Sequence, residues 1–357
     1  SHSNLEFSWR QVFGTRVQLN DASSPVLEFV IPRRSVEQVA WTSLCSALLR
    51  HPDFVFTRPP SLMTCDSAEV KQQLRLVKLA LDLVGRPPTT EETTDLAKGV
   101  TLSELADRYL DSQEFRDFYF HRIRLNLESQ GTEIQDEPVR LWSYIAFNDR
   151  PFQEILIADY SVDCNMQKKD RPLEHGRTGV LTTPGFIQGK PGLPHYNYAA
   201  QVSMLFLGFV YEVPAEIVEQ REGVTALGTT DPTSVCYSCH KILTPLAFQR
   251  LNWSDEGKYR TTNQDGLPID ASDQNASEDY PFPGNGLEAF ATQAVKKERF
   301  VRTIINSHFN FYFGRPMRFR EDERVLYKRL WDSVYGSNFK IRSLIREIVN
   351  SPEYLLP

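Results

Sequence analysis

Apolar residues at helical spacing, closed off by proline, glycine and Thr-x-x-Glu, recur along most of this chain. That period narrows the fold more than any other feature. Val70, Leu74, Val77, Leu81 and Val84 repeat at three- and four-residue steps from about Ala68, and Gly85 stands where a C-cap would. Arg86-Pro87-Pro88 breaks the pattern, and Thr89 with Glu92 forms a capping box for the next helix. Thr101 and Glu104 repeat that signature before Leu105, Tyr109 and Leu110. Phe115, Phe118, Tyr119, Ile123 and Leu127 predict an inward stripe over Ser112 to Leu127. Further helices are expected around Trp142 to Ile157 and from about Ala199 to Phe209. Phe300, Ile304, His308 and Tyr312 form a stripe closed by Gly314, and Phe339, Leu344, Ile345 and Ile348 form the last one. Near the start, Val26 to Ile31 reads as a short strand, with a helix from Ser35 carrying Val36, Val39 and Leu44.

Two stretches resist this pattern. Residues 168–200 carry Gly176, Gly179, Gly185, Gly189, Pro191, Gly192 and Pro194, which argues for an ordered loop wrapped around something. Residues 261–286 form a polar, acidic loop without calcium-loop spacing. The expectation is a mainly α fold, with helical domains packed around a loop-rich central region. Its parts are an N-terminal helical region (1–128), a central region (129–260) and a C-terminal helical region (261–357).

The chemistry concentrates at Cys236-Tyr237-Ser238-Cys239-His240. C-x-x-C-H is the attachment signature of c-type haem. Two thiols add across the two vinyl groups of one porphyrin, and the adjacent imidazole reaches the iron from the same turn. Half a zinc site would need a second Cys/His pair at similar spacing. A thioredoxin-like dithiol would need a βαβ context. The sequence offers neither, so one covalent haem c is expected, with His240 as an iron ligand. Candidates for the opposite face are His195, Met317, His308, Met204 and His175; His195 ranks first and Met317 second. A Met in that position raises the potential. His308, on an apolar stripe, reads as a core histidine, and Met204 as core. Arg177, Arg260 and Arg315 are candidate partners for the haem propionates, since guanidinium binds carboxylate bidentately.

Five cysteines spread over the chain make no disulfide framework. One disulfide plus one buried thiol is the simplest arithmetic for Cys45, Cys65 and Cys164, with Cys45–Cys65 the favoured pair. Forty Lys+Arg against 46 Asp+Glu give a net charge of −6, without the basic field that nucleic-acid binding needs. The longest apolar run, Met204 to Val210, is too short for a membrane span. The chain opens Ser1-His2-Ser3, without a charged-then-apolar leader, as a processed or trimmed exported protein would.

Most of the chain resembles the planctomycete-type cytochrome c-like family. The likeness rests on LVKLALDLVGRPPTTEE (76–92), LADRYLDSQEFRDFYFHRI (105–123), RTGVLTTPGFI (177–187) and CYSCHKILTPLAFQRLNWSDEGKYR (236–260). GLPIDAS (266–272), FNFYFGRPMRF (309–319) and IRSLIREIVNSPEYL (341–355) follow in the family's order. The chain departs from the pattern in two places. Thr244-Pro245-Leu246-Ala247-Phe248 replaces Asp-Pro-x-Gly-Phe. Pro194-His195-Tyr196-Asn197-Tyr198-Ala199 replaces Ser-Pro-x-x-Arg-Gly, so Tyr198 stands at the Arg position. The motif and the resemblance together imply a periplasmic or secreted mono-haem cytochrome that transfers electrons to a redox partner protein. The alternative is a haem enzyme, a peroxidase or oxygen-dependent oxidase, with an open or weakly held distal site and a small-molecule substrate. A structural or sensing haem is the third reading.

Overall fold

The computed structural model describes residues 18–19, 29–30, 68–188, 194–211, 231–234, 236–274, 276, 280–319 and 321–354. The chain divides into two compact units, Ser1–Cys65 and Asp66–Pro357. In the first, β1 (Gln18–Leu19) pairs antiparallel with β2 (Phe29–Val30), Gln18 opposite Val30. The expected strand over Val26 to Ile31 is seen in its Phe29–Val30 part; the helix from Ser35 and the Cys45–Cys65 bridge lie outside the described residues.

The second unit is mainly α. Its helices are α1 (Ala68–Val84), α2 (Thr90–Ala97), α3 (Leu102–Asp111), α4 (Gln113–Asn126), α5 (Glu137–Phe147), α6 (Glu154–Ile157) and α7 (Pro184–Ile187). They continue with α8 (Pro194–Leu207), α9 (Tyr237–Gln249), α10 (Gly286–Ala294), α11 (Glu298–Phe313), α12 (Glu321–Gly336) and α13 (Ile341–Val349). One small antiparallel pair, β3 (Tyr160–Val162) with β4 (Lys168–Asp170), projects between α6 and α7. The described helices of this unit share one hydrophobic core that runs from Leu76 to Tyr354.

Local chemistry explains many of the boundaries. Both Thr-x-x-Glu signatures are complete capping boxes: Thr89 and Glu92 start α2, and Thr101 and Glu104 start α3. Gly314 ends α11 in the left-handed region at φ 66°. Three expectations shift. The buried face of α1 is Leu76, Leu79, Ala80, Leu83 and the expected Val84, whereas Leu74 is 60% exposed and Val77 also faces outward. The segment carries two apolar stripes, and the one with the small Ala80 packs against α3 and α4. The single helix expected over Trp142 to Ile157 is two, because Asp149 takes φ 51° and Pro151 follows. The helix expected from Ala199 begins at Pro194, which puts His195 inside its first turn.

The Gly-rich stretch does wrap closely. Gly179 N–H donates to the Ala158 carbonyl at 3.0 Å, and a Cβ on Gly179 would sit on the Ile155 carbonyl oxygen.

His308 is the polar centre of the core. It is fully buried, with Nδ1 2.9 Å from the Ile304 carbonyl and Nε2 3.1 Å from the Tyr119 hydroxyl. Burial pushes its pKa down to about 4. The unfolded chain binds a proton below the ordinary histidine pKa that the folded chain refuses. Stability contributed by neutral His308 is therefore present above about pH 6.5 and declines as pH falls toward about 4, by roughly 3 kcal/mol in all. Urea unfolding across this range is expected to show that slope in the wild type and a flatter one in His308→Gln. Parallel slopes would contradict the assignment.

Candidate functional site

The C-x-x-C-H segment forms the opening turn of α9. Cys236 is its N-cap residue, held by a 3.2 Å bond from its N–H to the Ser234 hydroxyl. The His240 N–H donates to the Cys236 carbonyl at 3.1 Å. Positions 236, 239 and 240 stand in an i, i+3, i+4 relation, which places both thiols and the imidazole on one side of the helix. Cys236 and Cys239 are both free thiols and partly buried. Pro245 lies inside the helix and brings no N–H, so the Lys241 carbonyl lacks its intrahelical donor.

His240 is oriented from two sides. Its Nδ1 lies 3.1 Å from the Thr244 hydroxyl, one turn further along α9. The Tyr196 ring, from the first turn of α8, meets it edge-on at 4.9 Å and 69°. Burial holds the imidazole below its usual pKa, so it is neutral at neutral pH, the form that ligates metals. In the tautomer whose Nδ1–H donates to Thr244, Nε2 carries the lone pair, and among the described residues Nε2 has no hydrogen-bond partner. Two free thiols and one neutral, oriented imidazole from a single turn form a donor set that fits a covalently bound haem. Among the described residues, no three His, Cys, Asp or Glu side chains converge as a metal-ion site would require.

A second cluster lies at the other end of α9. Arg250 caps that end, and its side chain is fully buried. One Nη donates to His195 Nδ1 and the other to Asp255 Oδ1 at 3.0 Å, while the guanidinium lies 5.2 Å from the Tyr198 ring centre. Tyr198 is fully buried and donates to the Leu181 carbonyl at 2.9 Å. Guanidinium only donates, so Nδ1 of His195 accepts and, in the neutral ring, Nε2 bears the proton. Burial first, then the Arg250 cation, holds His195 below its usual pKa; Asp255 opposes this and Arg260 adds to it.

The structure brings some of the expected site residues together and separates others. His195 and Arg260 belong to the Arg250 cluster, with Arg260 Nε donating to the Leu251 carbonyl at 3.4 Å. Arg177 is exposed, between the partly buried His175, edge-on to Trp253 at 4.7 Å, and the buried Thr178. Met204, expected in the core, is half-exposed. Met317 and Arg315 lie beyond the C-terminal end of α11, where Met317 is buried and Arg315 pairs with Glu323 at 2.7 Å. The motif lies near the opposite end. Cys239 is close enough to Tyr211 to assist burial in raising the phenol pKa to about 12. Tyr211 shares a 2.7 Å bond with Ser203 of α8, and the end of α8 accepts a 2.6 Å bond from Arg299 in the first turn of α11. The sixteen residues of α11 span about 24 Å. Sequence reasoning passed over Arg250; its only signal was a cation just past the end of the motif helix.

Comparison with protein-family models, with curated proteins and with solved structures finds no match for this chain.

If Arg250 holds His195 in this way, Arg250→Met removes the neighbouring cation. The His195 pKa, followed by NMR of its ring protons, is then expected to rise. An unchanged or lower value would contradict the contact.

Proposed function

We propose that Cys236, Cys239 and His240 hold one covalently attached haem c, and that the protein passes single electrons through it to a redox partner protein. On this reading it would belong with the planctomycete-type cytochrome c-like proteins it resembles, in a periplasmic or secreted setting. The observation that carries the reading is the opening turn of α9: two unbridged thiols and a neutral imidazole whose Nδ1 is in contact with the Thr244 hydroxyl. Bound there, the haem would supply a one-electron iron couple. The chain's own residues orient and shield. Thr244 orients the His240 ring through its Nδ1, a role that partners of ligating histidines commonly play. Tyr196 limits rotation of the ring. Arg260, beside the Arg250 cluster, gives that side of the α8–α9 junction a positive charge suited to carboxylates.

A second reading, a haem enzyme with an open distal face, is favoured by the state of the two leading sixth-ligand candidates. His195 accepts from Arg250 at one nitrogen and bears the proton on the other, so it offers no lone pair. Met317 belongs to the far end of α11.

Both readings are tested by optical spectra of the full chain produced with haem-maturation machinery, oxidised and reduced, with and without carbon monoxide. Electron transfer predicts a low-spin spectrum indifferent to carbon monoxide. An open site predicts a high-spin spectrum that shifts with it. Cys236→Ala and Cys239→Ala are each expected to abolish stable double thioether attachment. A protein without a haem band would overturn both readings.

A further inference from the structure

Tyr119, His308 and Trp142 form a buried hydrogen-bond chain that the haem reading does not use. Each side chain is at most 1% exposed. Trp142 Nε1–H donates to the Tyr119 oxygen at 3.2 Å, that oxygen lies 3.1 Å from His308 Nε2, and His308 Nδ1 lies 2.9 Å from the Ile304 carbonyl. The donor inventory permits one assignment. The carbonyl can only accept, so Nδ1 carries the imidazole proton. Nε2 therefore accepts from the Tyr119 hydroxyl, whose oxygen accepts from Trp142. The phenol proton already points at a basic nitrogen.

We infer that Tyr119 is a redox-active tyrosine and that His308 takes its proton. An outer-sphere one-electron oxidant removes an electron from Tyr119, the phenol O–H breaks, and an N–H forms at His308 Nε2. The products are a neutral phenoxyl radical and an imidazolium; re-reduction returns the proton to the oxygen. An oxidised phenol is a far stronger acid than an imidazolium, so the transfer runs downhill even with His308 depressed by burial. The imidazolium keeps both partners, the Tyr119 oxygen at Nε2 and the Ile304 carbonyl at Nδ1. Arg122 opposes the new positive charge. The rings of Phe115 and Phe147, 5.6 and 5.9 Å from that of Tyr119, pack around the pair, and an apolar sheath prolongs the life of a radical.

A line of rings leads from the pair toward the motif. Trp142 lies 5.9 Å from Phe206, Phe206 is 6.2 Å from Phe186, and Phe186 is 5.6 Å from Tyr198. Tyr198 shares α8 with Tyr196, whose ring meets His240. A function for that line as an electron route rests on the haem reading; the redox pair itself does not.

The test adds its oxidant from outside. Flash-generated tris(bipyridyl)ruthenium(III) is mixed with the full chain, and freeze-quenched samples are read by electron paramagnetic resonance. The wild type is expected to give a long-lived neutral tyrosyl signal that narrows when the chain carries ring-deuterated tyrosine. Tyr119→Phe removes that component. His308→Gln, which can accept the hydrogen bond but not the proton, shortens its life by about a hundredfold, the scale of a lost proton acceptor. A wild type without the long-lived signal, or a signal that survives Tyr119→Phe, overturns the inference. Should Tyr119→Phe fail to fold, an unchanged lifetime in folded His308→Gln does the same. A positive result in a chain that never acquires haem would leave this pair standing and the proposed function fallen.

Discussion

A guanidinium sealed from water has to be compensated from within the chain, and at Arg250 that requirement ties three segments together. Burying a cation costs several kcal/mol unless its donors are met. Arg250 meets two of them, one through His195 from the first turn of α8 and one through Asp255 from the turn after α9, and it packs beside the Tyr198 ring, while its buried Nε has no hydrogen-bond partner among the described residues. Asp255 is 52% exposed, so water screens its charge and its compensation is partial. The end of α9, where carbonyl dipoles point outward, favours a cation as well. Fixing Arg250 therefore fixes how α8 begins, and α8 carries the Tyr196 ring that touches the motif histidine.

The motif depends on that junction. An imidazole on an opening helical turn can swing freely unless neighbours hold it. Thr244 holds His240 from within α9 and Tyr196 holds it from α8. The two thiols need no such constraint, because covalent chemistry would fix them. The arrangement separates labour: the opening turn of α9 presents the three reactive groups, while the Arg250 cluster at its far end fixes the start of α8, whose Tyr196 packs on His240.

Sequence legibility followed the range of the interaction. Capping boxes at Thr89 and Thr101 and the Gly314 cap are local, satisfied within one turn, and were readable as written. The stripe of Phe300, Ile304, His308 and Tyr312 was equally plain because only one face of α11 is apolar enough to bury. The face of α1 was misread because its sequence supports two stripes, and the choice between them is made by α3 and α4. The helix over Glu321–Gly336 was missed because its buried set, Leu326, Leu330 and Val334, is thin within a charged segment. The role of Arg250, and the tautomer it imposes on His195, arises from residues 55 positions apart and has no sequence period to reveal it.

The measurement closest to the central claim is the mass of the full chain under denaturing conditions, after production with haem-maturation machinery, followed by mapping of the peptide that contains Cys236 and Cys239. The account predicts one haem per chain that survives denaturation and maps to that peptide. A chain of unmodified mass, or a haem that washes away on unfolding, would contradict it.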